Sequence, residues 1–368
     1  MASRARAAAY YVAPVGSLAF GAALVLLGGH LPIAPPFAIL IYATATAILF
    51  STVFVVLHHA ESVAHRIGEP YGTLLLTFAV TTIEVSIIVS LMLEGKNNPT
   101  LARESVFSTV MIVTCGVVGA CLMLGGWRHG HQELKRQGTT ALLSVLFALS
   151  VLTLVLPNYT LTTAPGTFSV WQLAFVGALA VLLYAAFVFA QTVSHRDDFV
   201  EDLVARPTHD ARPERRENVA VSLIMLFAGL GGVVLLAEYV ASGVEHGLVA
   251  LRMQQVDAII GALIATLVLL PEGVSAIRAA RNNELQRSLN IALGSACATI
   301  GLTIPTVALV SVLTGRELVL GLGAGDSALL ILALAICVLS FSTGRTIVLT
   351  GLVHLVVFVA YLLLIVVP

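Results

Sequence analysis

The stretch TFAVTTIEVSIIVSLM, residues 77–92, contains a single charged residue in the middle of an apolar segment. Glu84 lies within the run 71–93, which has no other charged residue and is long enough to cross the hydrocarbon core of a bilayer as a helix. A charged side chain at that depth costs about 3 kcal/mol or more. Ionisable residues inside a membrane usually belong to an ion or proton pathway, so Glu84 is the first candidate functional residue.

The composition excludes a soluble protein of this size. Of 368 residues, 58% are hydrophobic and only 11% are charged, so polar side chains are too few to cover a water-exposed surface. The net charge of −1 provides no basic surface for nucleic acid. The four cysteines lie in apolar runs without metal-ligand spacing, which is typical of small core residues. The sequence therefore predicts an all-α polytopic membrane protein.

The apolar runs predict about eleven transmembrane helices. Their approximate ranges are 11–28, 37–60, 71–93, 105–126, 139–157, 168–190, 219–243, 256–278, 288–313, 327–340 and 346–367. With the N-terminus in the cytoplasm, fifteen of the nineteen Lys and Arg residues fall on the cytoplasmic side and four fall outside. Because basic residues concentrate on the cytoplasmic side, we expect a cytoplasmic N-terminus and a C-terminus outside.

A second carboxylate lies in the eighth predicted helix. The run 256–277 reads VDAIIGALIATLVLLPEGVSAI, in which Glu272 is flanked by Pro271 and Gly273. Because proline removes a helical hydrogen bond and glycine loosens the turn, we expect this helix to be broken at the carboxylate. The third and eighth helices thus each carry one central Glu.

The sequence around these two glutamates repeats. The pattern A-E-x-V-A occurs at 60–64 and again at 237–241, so that Glu61 corresponds to Glu238. In the helix that follows each central Glu, small polar residues recur, and they pair Ser108 and Thr109 of FSTVM with Gly294 and Ser295 of LGSACAT. Since the copies are five crossings apart, the second is inserted upside down relative to the first. Inverted repeats with polar residues at the midplane are typical of secondary transporters.

This repeat predicts one leading helix followed by two inverted five-helix repeats. The predicted segments are an N-terminal tail and leading helix at 1–33, a first repeat at 34–190, a polar cytoplasmic linker at 191–218 and a second repeat at 219–368.

The motifs around both glutamates resemble a known family. GEPYGTLLLTFAVTTIEVSIIVSLM (68–92) and ATLVLLPEGVSAIRAARNNELQRSLNIALGSACATIGLTIP (265–305) are similar to the two α-repeats of the calcium:cation antiporter superfamily. The similarity is greatest to the bacterial ChaA-type branch of the cation/proton exchangers, which YAAFVFAQTVSH (184–195) also resembles. The resemblance implies a bacterial cytoplasmic membrane protein in which Glu84 and Glu272 bind the cation and carry protons.

The chain departs from the family pattern at several positions. Where family members commonly have Gly-Asn before each Glu, this sequence has Val80–Thr81 and Val268–Leu269. Where Asn and Gln often follow the Gly-Ser motifs, it has Val113 and Ala298. Fewer amide ligands leave sodium and potassium open as cargo beside calcium.

The chemistry of two membrane carboxylates favours antiport. Two carboxylates close together in a low-dielectric site resist being charged together, so they exchange protons as a coupled pair. Deprotonated, the pair carries a charge of −2 and needs one divalent or two monovalent cations. Hard oxygen ligands suit Ca²⁺ rather than zinc or copper. The expected activity is export of Ca²⁺ in exchange for H⁺ by a protein that needs no cofactor, and a monomer suffices. A monovalent Na⁺/H⁺ or K⁺/H⁺ antiporter is the alternative.

Further polar residues are assigned to the same pathway. The supporting set is Thr81, Thr82, Ser108, Thr109, Gly294, Ser295 and Asn290. Glu61 and Glu238 are expected at opposite mouths, where they would attract cations or act only as helix-end residues in water. The linker acids Asp197, Asp198, Glu201 and Asp202 form either a cytoplasmic cation patch or a solvated helix face.

Other functional classes fit less well. An intramembrane hydrolase would need a nucleophile or bound metal, and the sequence contains neither H-E-x-x-H nor G-x-S-x-G. A cation channel would not need two titrating carboxylates in an inverted pair. The expected partners are therefore the lipid bilayer, inorganic cations and protons, with the oligomeric state left open.

Overall fold

The structure is a computed structural model that describes residues 2–28, 35–67, 71–93, 98–199 and 219–367. The helices of at least eighteen residues are α1 (Ala2–Gly28), α2 (Pro35–Ile67), α3 (Tyr71–Leu93), α4 (Leu101–His129), α5 (Arg136–Tyr159), α6 (Val170–Ser194), α7 (Val219–Ala250), α8 (Val256–Arg281), α9 (Leu285–Thr314), α10 (Ala324–Phe341) and α11 (Val348–Val366). A one-turn helix, Arg196–Phe199, follows α6. Strands β1 (Gln132–Glu133) and β2 (Arg345–Thr346) form one short antiparallel pair.

Nine helices in the described ranges are long and apolar enough to cross a membrane, namely α2 and α4 to α11. Helices α1 and α3 contain shorter apolar stretches, Tyr10–Leu26 and Phe78–Leu93. These helices confirm the predicted all-α polytopic membrane protein. The number of eleven crossings, the orientation of the termini and the boundaries of the two repeats stay predictions.

The predicted break at Glu272 is wrong. Helix α8 runs continuously from Val256 to Arg281, with Pro271 inside it. Pro271 and Gly273 are both buried, and α8 packs against α4 and α9. Packing against neighbouring helices allows a membrane helix to tolerate a proline, so the helix continues through the carboxylate.

The irregular backbone lies in other helices. A π-helical segment, Ile112–Val117, interrupts α4, and a second, Thr299–Thr303, interrupts α9. Each begins a few residues after the small polar residues that the sequence repeat pairs, Ser108–Thr109 and Gly294–Ser295. Helix α5 contains a third π segment, Val151–Val155, and α6 ends in a fourth, Ala190–Ser194. Such segments often occur at functional sites.

The chain forms two compact units. The first comprises Met1–Leu91 and Val204–Met253, and thus contains α1, α2, most of α3 and α7. Helix α7 packs against α1 and α2. Small residues allow this approach, because a Cβ on Gly229 would lie 2.3 Å from Val56 and one on Gly243 would lie 2.2 Å from Tyr42.

The second unit comprises Met92–Leu203 and Gln254–Pro368, with α4, α5, α6 and α8 to α11. Helix α8 packs against α4 and α9, while α11 packs against α4 and α6 packs against α9. The last helix of each predicted repeat therefore contacts a helix of the other repeat that contains a π segment, α4 or α9.

Helices α4 and α8 run parallel and in register. A Cβ on Gly261 would lie 2.7 Å from the backbone nitrogen of Ser105, and a Cβ on Gly273 would lie 3.4 Å from Val117. Gly261 and Gly273 are twelve residues apart, and so are Ser105 and Val117. Residues of α8 are thus level with residues of α4 that have numbers lower by 156.

We expect Gly261→Ala to lower the apparent melting temperature of the purified protein in detergent by about 2–6 °C, because overpacking costs about 1–3 kcal/mol. The added methyl group would overlap the backbone of α4. Gly325→Ala in α10 is the matched control, because a Cβ there meets nothing within 4 Å. Equal melting temperatures for the two variants would contradict the close α4–α8 contact.

Candidate functional site

Glu84 lies on a buried face of α3 in the first unit. Its side chain is 2% exposed, and its Oε1 atom is shielded from solvent. Thr81, one turn earlier on the same face, is also buried. Thr82 lies partly exposed and donates its hydroxyl hydrogen to Phe78 O at 2.7 Å. Helix α3 thus presents a carboxylate and a hydroxyl together in the interior of its unit.

Glu238 belongs to the same unit and contacts α3. Ser90 Oγ donates to Glu238 Oε2 at 2.7 Å, and the Glu238 side chain is half-buried. Ser90 is six residues beyond Glu84, which corresponds to about 9 Å along the helix. The corresponding acid, Glu61, lies within α2, and its side chain is outside the described residues.

Glu272 lies in the second unit, inside α8. Its side chain is half-buried, and its Oε2 atom is shielded from solvent. The basic residues of this helix, Arg278 and Arg281, are exposed in its last turn. Glu84 and Glu272 therefore lie in different units, and their action as one pair stays a prediction.

The hairpin formed by α8 and α9 brings the second small-polar motif to the height of Glu272. The helices are joined by a turn in which Asn283 has a positive φ of 65°. Glu272 precedes Asn283 by eleven residues and Gly294 follows it by eleven, so the two are level in this antiparallel hairpin. A Cβ on Gly294 would meet nothing within 4 Å. Open space therefore borders α9 at this height, beside the half-buried Ser295.

In α4, which packs against both α8 and α9, the residues level with Glu272 belong to the π segment. The α4–α8 register places Glu272 at the height of Gly116, within Ile112–Val117. Ser108 and Thr109 are buried about two turns away, and Ser108 Oγ accepts a 2.7 Å hydrogen bond from Tyr361. The repeat in the sequence identified this helix, but it contained no signal for the π segment.

Asn290 belongs to a hydrogen-bonded network near the N-terminal end of α9. Its Nδ2 donates to Phe199 O, and its Oδ1 accepts from Gln286 Nε2 at 3.0 Å. Gln286 Oε1 accepts from Lys135 N at 2.9 Å and from Thr139 Oγ1 at 3.2 Å. This network ties the one-turn helix Arg196–Phe199 to the first turns of α5 and α9.

The predicted acidic patch is only partly described. Asp197 is exposed and Asp198 half-buried, both within the one-turn helix that Asn290 holds. Glu201 and Asp202 lie outside the described residues. In the described ranges, no group of three or more His, Cys, Asp or Glu side chains is arranged to hold a metal ion.

A buried ion pair near the start of α4 was missed from the sequence. Arg103 donates from Nε and Nη2 to Glu104 Oε1, at 2.9 and 2.5 Å, and from Nη1 to Gly321 O at 2.8 Å. Glu104 is 7% exposed. Glu104 lies one residue before the predicted span 105–126, and together with the neighbouring Arg103 it resembled a loop residue in the sequence.

Comparisons with known proteins identify the family of this chain. The family model described as sodium/calcium exchanger protein matches residues 36–193 and 221–367. The chain is 43% identical over 335 residues to the putative ionic transporter y4hA of Sinorhizobium fredii, covering 91% of this chain and 90% of that one. It is 38% identical over 332 residues to the sodium-potassium/proton antiporter ChaA of Escherichia coli, covering 89% of each.

A solved structure shares the fold. The crystal structure of the selenium-substituted Ca²⁺/H⁺ antiporter protein YfkE has a TM-score of 0.70 to this chain, with 16% identity and coverage of 98% of this chain and 99% of that one. The extended family match and the two relatives confirm the family resemblance of the motifs around Glu84 and Glu272. The chain belongs to the sodium/calcium exchanger protein family, as a cation antiporter of the ChaA type.

Proposed function

We propose that this protein exports Ca²⁺ across the bacterial cytoplasmic membrane in exchange for H⁺, by alternating access, with Glu84 and Glu272 as the cation and proton ligands. The observation that carries the proposal is the burial of Glu84 in α3, a helix without Lys or Arg, in a chain of an exchanger family. A buried carboxylate in such a helix is neutral when it is protonated, and needs a compensating cation when it is not.

Competition between protons and cations couples their movements. A site with two bound protons or one bound Ca²⁺ carries no net charge, whereas an empty site carries −2. Because an uncompensated charge is costly in a low-dielectric environment, only the loaded or the protonated protein changes its facing direction. Each cycle then exchanges a cation for protons.

The neighbouring oxygen atoms suit a hard cation. Thr81 is buried one turn from Glu84, and Ser295 is adjacent to the open space at Gly294, level with Glu272. Carboxylate and hydroxyl oxygens are typical ligands of Ca²⁺ and of other hard cations. Glu238, held by Ser90, would attract cations toward one mouth of the pathway.

Exchange of Na⁺ or K⁺ for H⁺ is a second candidate. The 38% identical relative from Escherichia coli is a sodium-potassium/proton antiporter. Val80, Val268 and Leu269 also supply no side-chain ligand oxygen beside the two glutamates, which favours ions that need fewer ligands than Ca²⁺. The two candidates share the glutamates and differ in the cargo.

Transport by the purified protein tests the proposal. We expect Ca²⁺ added outside proteoliposomes with an acidic lumen to dissipate the pH gradient, at a rate that rises with external pH because protons compete for the carboxylates. A lumenal dye reports the pH, and protein-free liposomes are the control. Dissipation by Na⁺ or K⁺ alone would support the second candidate, and no response to any of the three cations would overturn both.

Neutralising either central glutamate should abolish exchange. Gln keeps the size of Glu but cannot carry a proton or compensate a cation, so Glu84→Gln and Glu272→Gln should each reduce the initial rate at least about 100-fold while the protein stays monodisperse. Glu284→Gln is the matched control, because Glu284 lies in the α8–α9 turn and pairs with Arg287. Normal exchange by either Gln variant would rule out the two-carboxylate mechanism.

Filling the open space at Gly294 should impair exchange without loosening the fold. The side chain in Gly294→Val would occupy space at the height of Glu272, and we expect a rate at least about tenfold lower with a melting temperature close to that of the wild type. Gly325→Val in α10 also enters open space, and it should leave exchange unchanged. Equal rates for the two variants would mean that the space at Gly294 is not part of the pathway.

A further inference from the structure

The π segment of α4 exposes a backbone carbonyl to a histidine of another helix. In a regular α-helix, Val118 N–H would donate to Thr114 O, four residues earlier. Here it donates to Val113 O, five residues earlier. His354 of α11 takes the released position, with Nδ1 2.7 Å from Thr114 O. Cys337 Sγ of α10 makes a longer contact with the same oxygen, at 3.9 Å.

The partners of His354 determine its tautomer. A carbonyl oxygen only accepts, so Nδ1 carries the hydrogen atom. The other ring nitrogen, Nε2, lies 3.0 Å from Ser340 Oγ of α10, and in a neutral ring it accepts from that hydroxyl. His354 is 0% exposed. Both ring nitrogens are thus used, and the ring links α4 to α10 inside the unit.

Helix α11 holds α4 on both sides of the π segment. Tyr361 donates to Ser108 before it, and a Cβ on Gly119 after it would lie 3.0 Å from His354 Cβ. Within the segment, a Cβ on Gly116 would lie 3.2 Å from the Phe358 ring. These contacts leave little freedom for the segment to move away from α11.

The segment held in this way lies beside the proposed ligand Glu272. Gly116 is level with Glu272, and Gly273 packs against Val117. We propose that His354 is a positioning residue for Glu272, because its hydrogen bond to Thr114 O maintains the π segment against which the Glu272 turn packs. This inference rests on the proposed function, in which Glu272 binds the transported cation.

Loss of the Nδ1 hydrogen bond would change the surface that faces Glu272. Thr114 O could then accept from Val118 N–H, and the hydrogen-bonded turn would enclose one residue fewer than the π turn does. One residue corresponds to about 100° of rotation in a helix, so the side chains on one side of the segment would turn relative to those on the other. Second-shell partners of cation ligands typically contribute about 10–100-fold in affinity.

Two amide variants separate the hydrogen bonds of His354. The amide nitrogen of Asn corresponds in position to Nδ1 and reaches Thr114 O, whereas that of Gln corresponds to Nε2 and reaches Ser340. We expect His354→Asn to keep the half-saturating cation concentration within about threefold of wild type, and His354→Gln to raise it about 10–100-fold. Ser340→Ala should have little effect. Equal values for the Asn and Gln variants would overturn the proposal.

A double variant tests whether the effect passes through Glu272. If His354 positions Glu272, the effects of His354→Gln and Glu272→Asp on the half-saturating concentration should be less than multiplicative. A general structural role would give independent, multiplicative effects, which would contradict the proposal. Melting temperatures of all variants are measured alongside.

A measurement without transport keeps this inference separate from the proposed function. In the ring-¹⁵N NMR spectrum of the labelled protein, the His354 signal is identified by its loss in His354→Asn. We expect a neutral ring protonated at Nδ1, and a ring protonated at Nε2 would overturn the inference even if the Gln variant failed to fold. A wild type that shows the expected tautomer but moves no cation would instead refute the proposed function.

Discussion

The cost of a charge inside a bilayer is the constraint on which the rest of this protein depends. Glu84 is almost fully buried in an apolar helix, and Glu272 has one shielded oxygen in another. In such surroundings a carboxylate persists either with a proton or with a cation nearby. In the proposed function, this physical condition couples the release of protons to the binding of a cation. In the same proposal, the open space at Gly294 gives the ion room at the height of Glu272.

A second constraint is that backbone groups in the membrane need hydrogen-bond partners. A broken helix at Pro271 would have left several carbonyl and amide groups to be satisfied, whereas the continuous helix loses only the proline donor. The π segments provide irregularity at lower cost, since only a few bonds change their partners. In α4, Thr114 O loses its partner within the helix and accepts a hydrogen bond from His354. A side chain thus replaces the missing backbone donor.

The sequence predicted the helices, the family and the burial of Glu84, because these depend on local hydrophobicity and on motifs. It failed at features that depend on residues far apart in the chain. The bond between Ser90 and Glu238 joins residues 148 positions apart, and that between His354 and Thr114 joins residues 240 apart. Asn290 was assigned to the pathway from its place near Gly294. Its side-chain amide instead forms hydrogen bonds with Gln286 Nε2 and with Phe199 O. Its place in the pathway stays a prediction, because no local pattern distinguishes a ligand from a network residue.

Two π segments of the second unit, those in α4 and α9, make different contacts with their neighbouring helices. Helix α11 contacts the segment in α4 through the hydrogen bond of His354, whereas α6 contacts the segment in α9 through Tyr184, whose Cβ would lie 2.6 Å from a Cβ on Gly301. A hydrogen bond fixes the direction of the carbonyl group that accepts it, whereas van der Waals packing fixes only the distance between two helices. The two helices that the predicted repeat pairs, α4 and α9, therefore differ in the contacts made by their π segments. Beside Glu272, the segment in α4 has a carbonyl oxygen, Thr114 O, that accepts from a side chain of another helix, and this bond fixes the direction of that carbonyl.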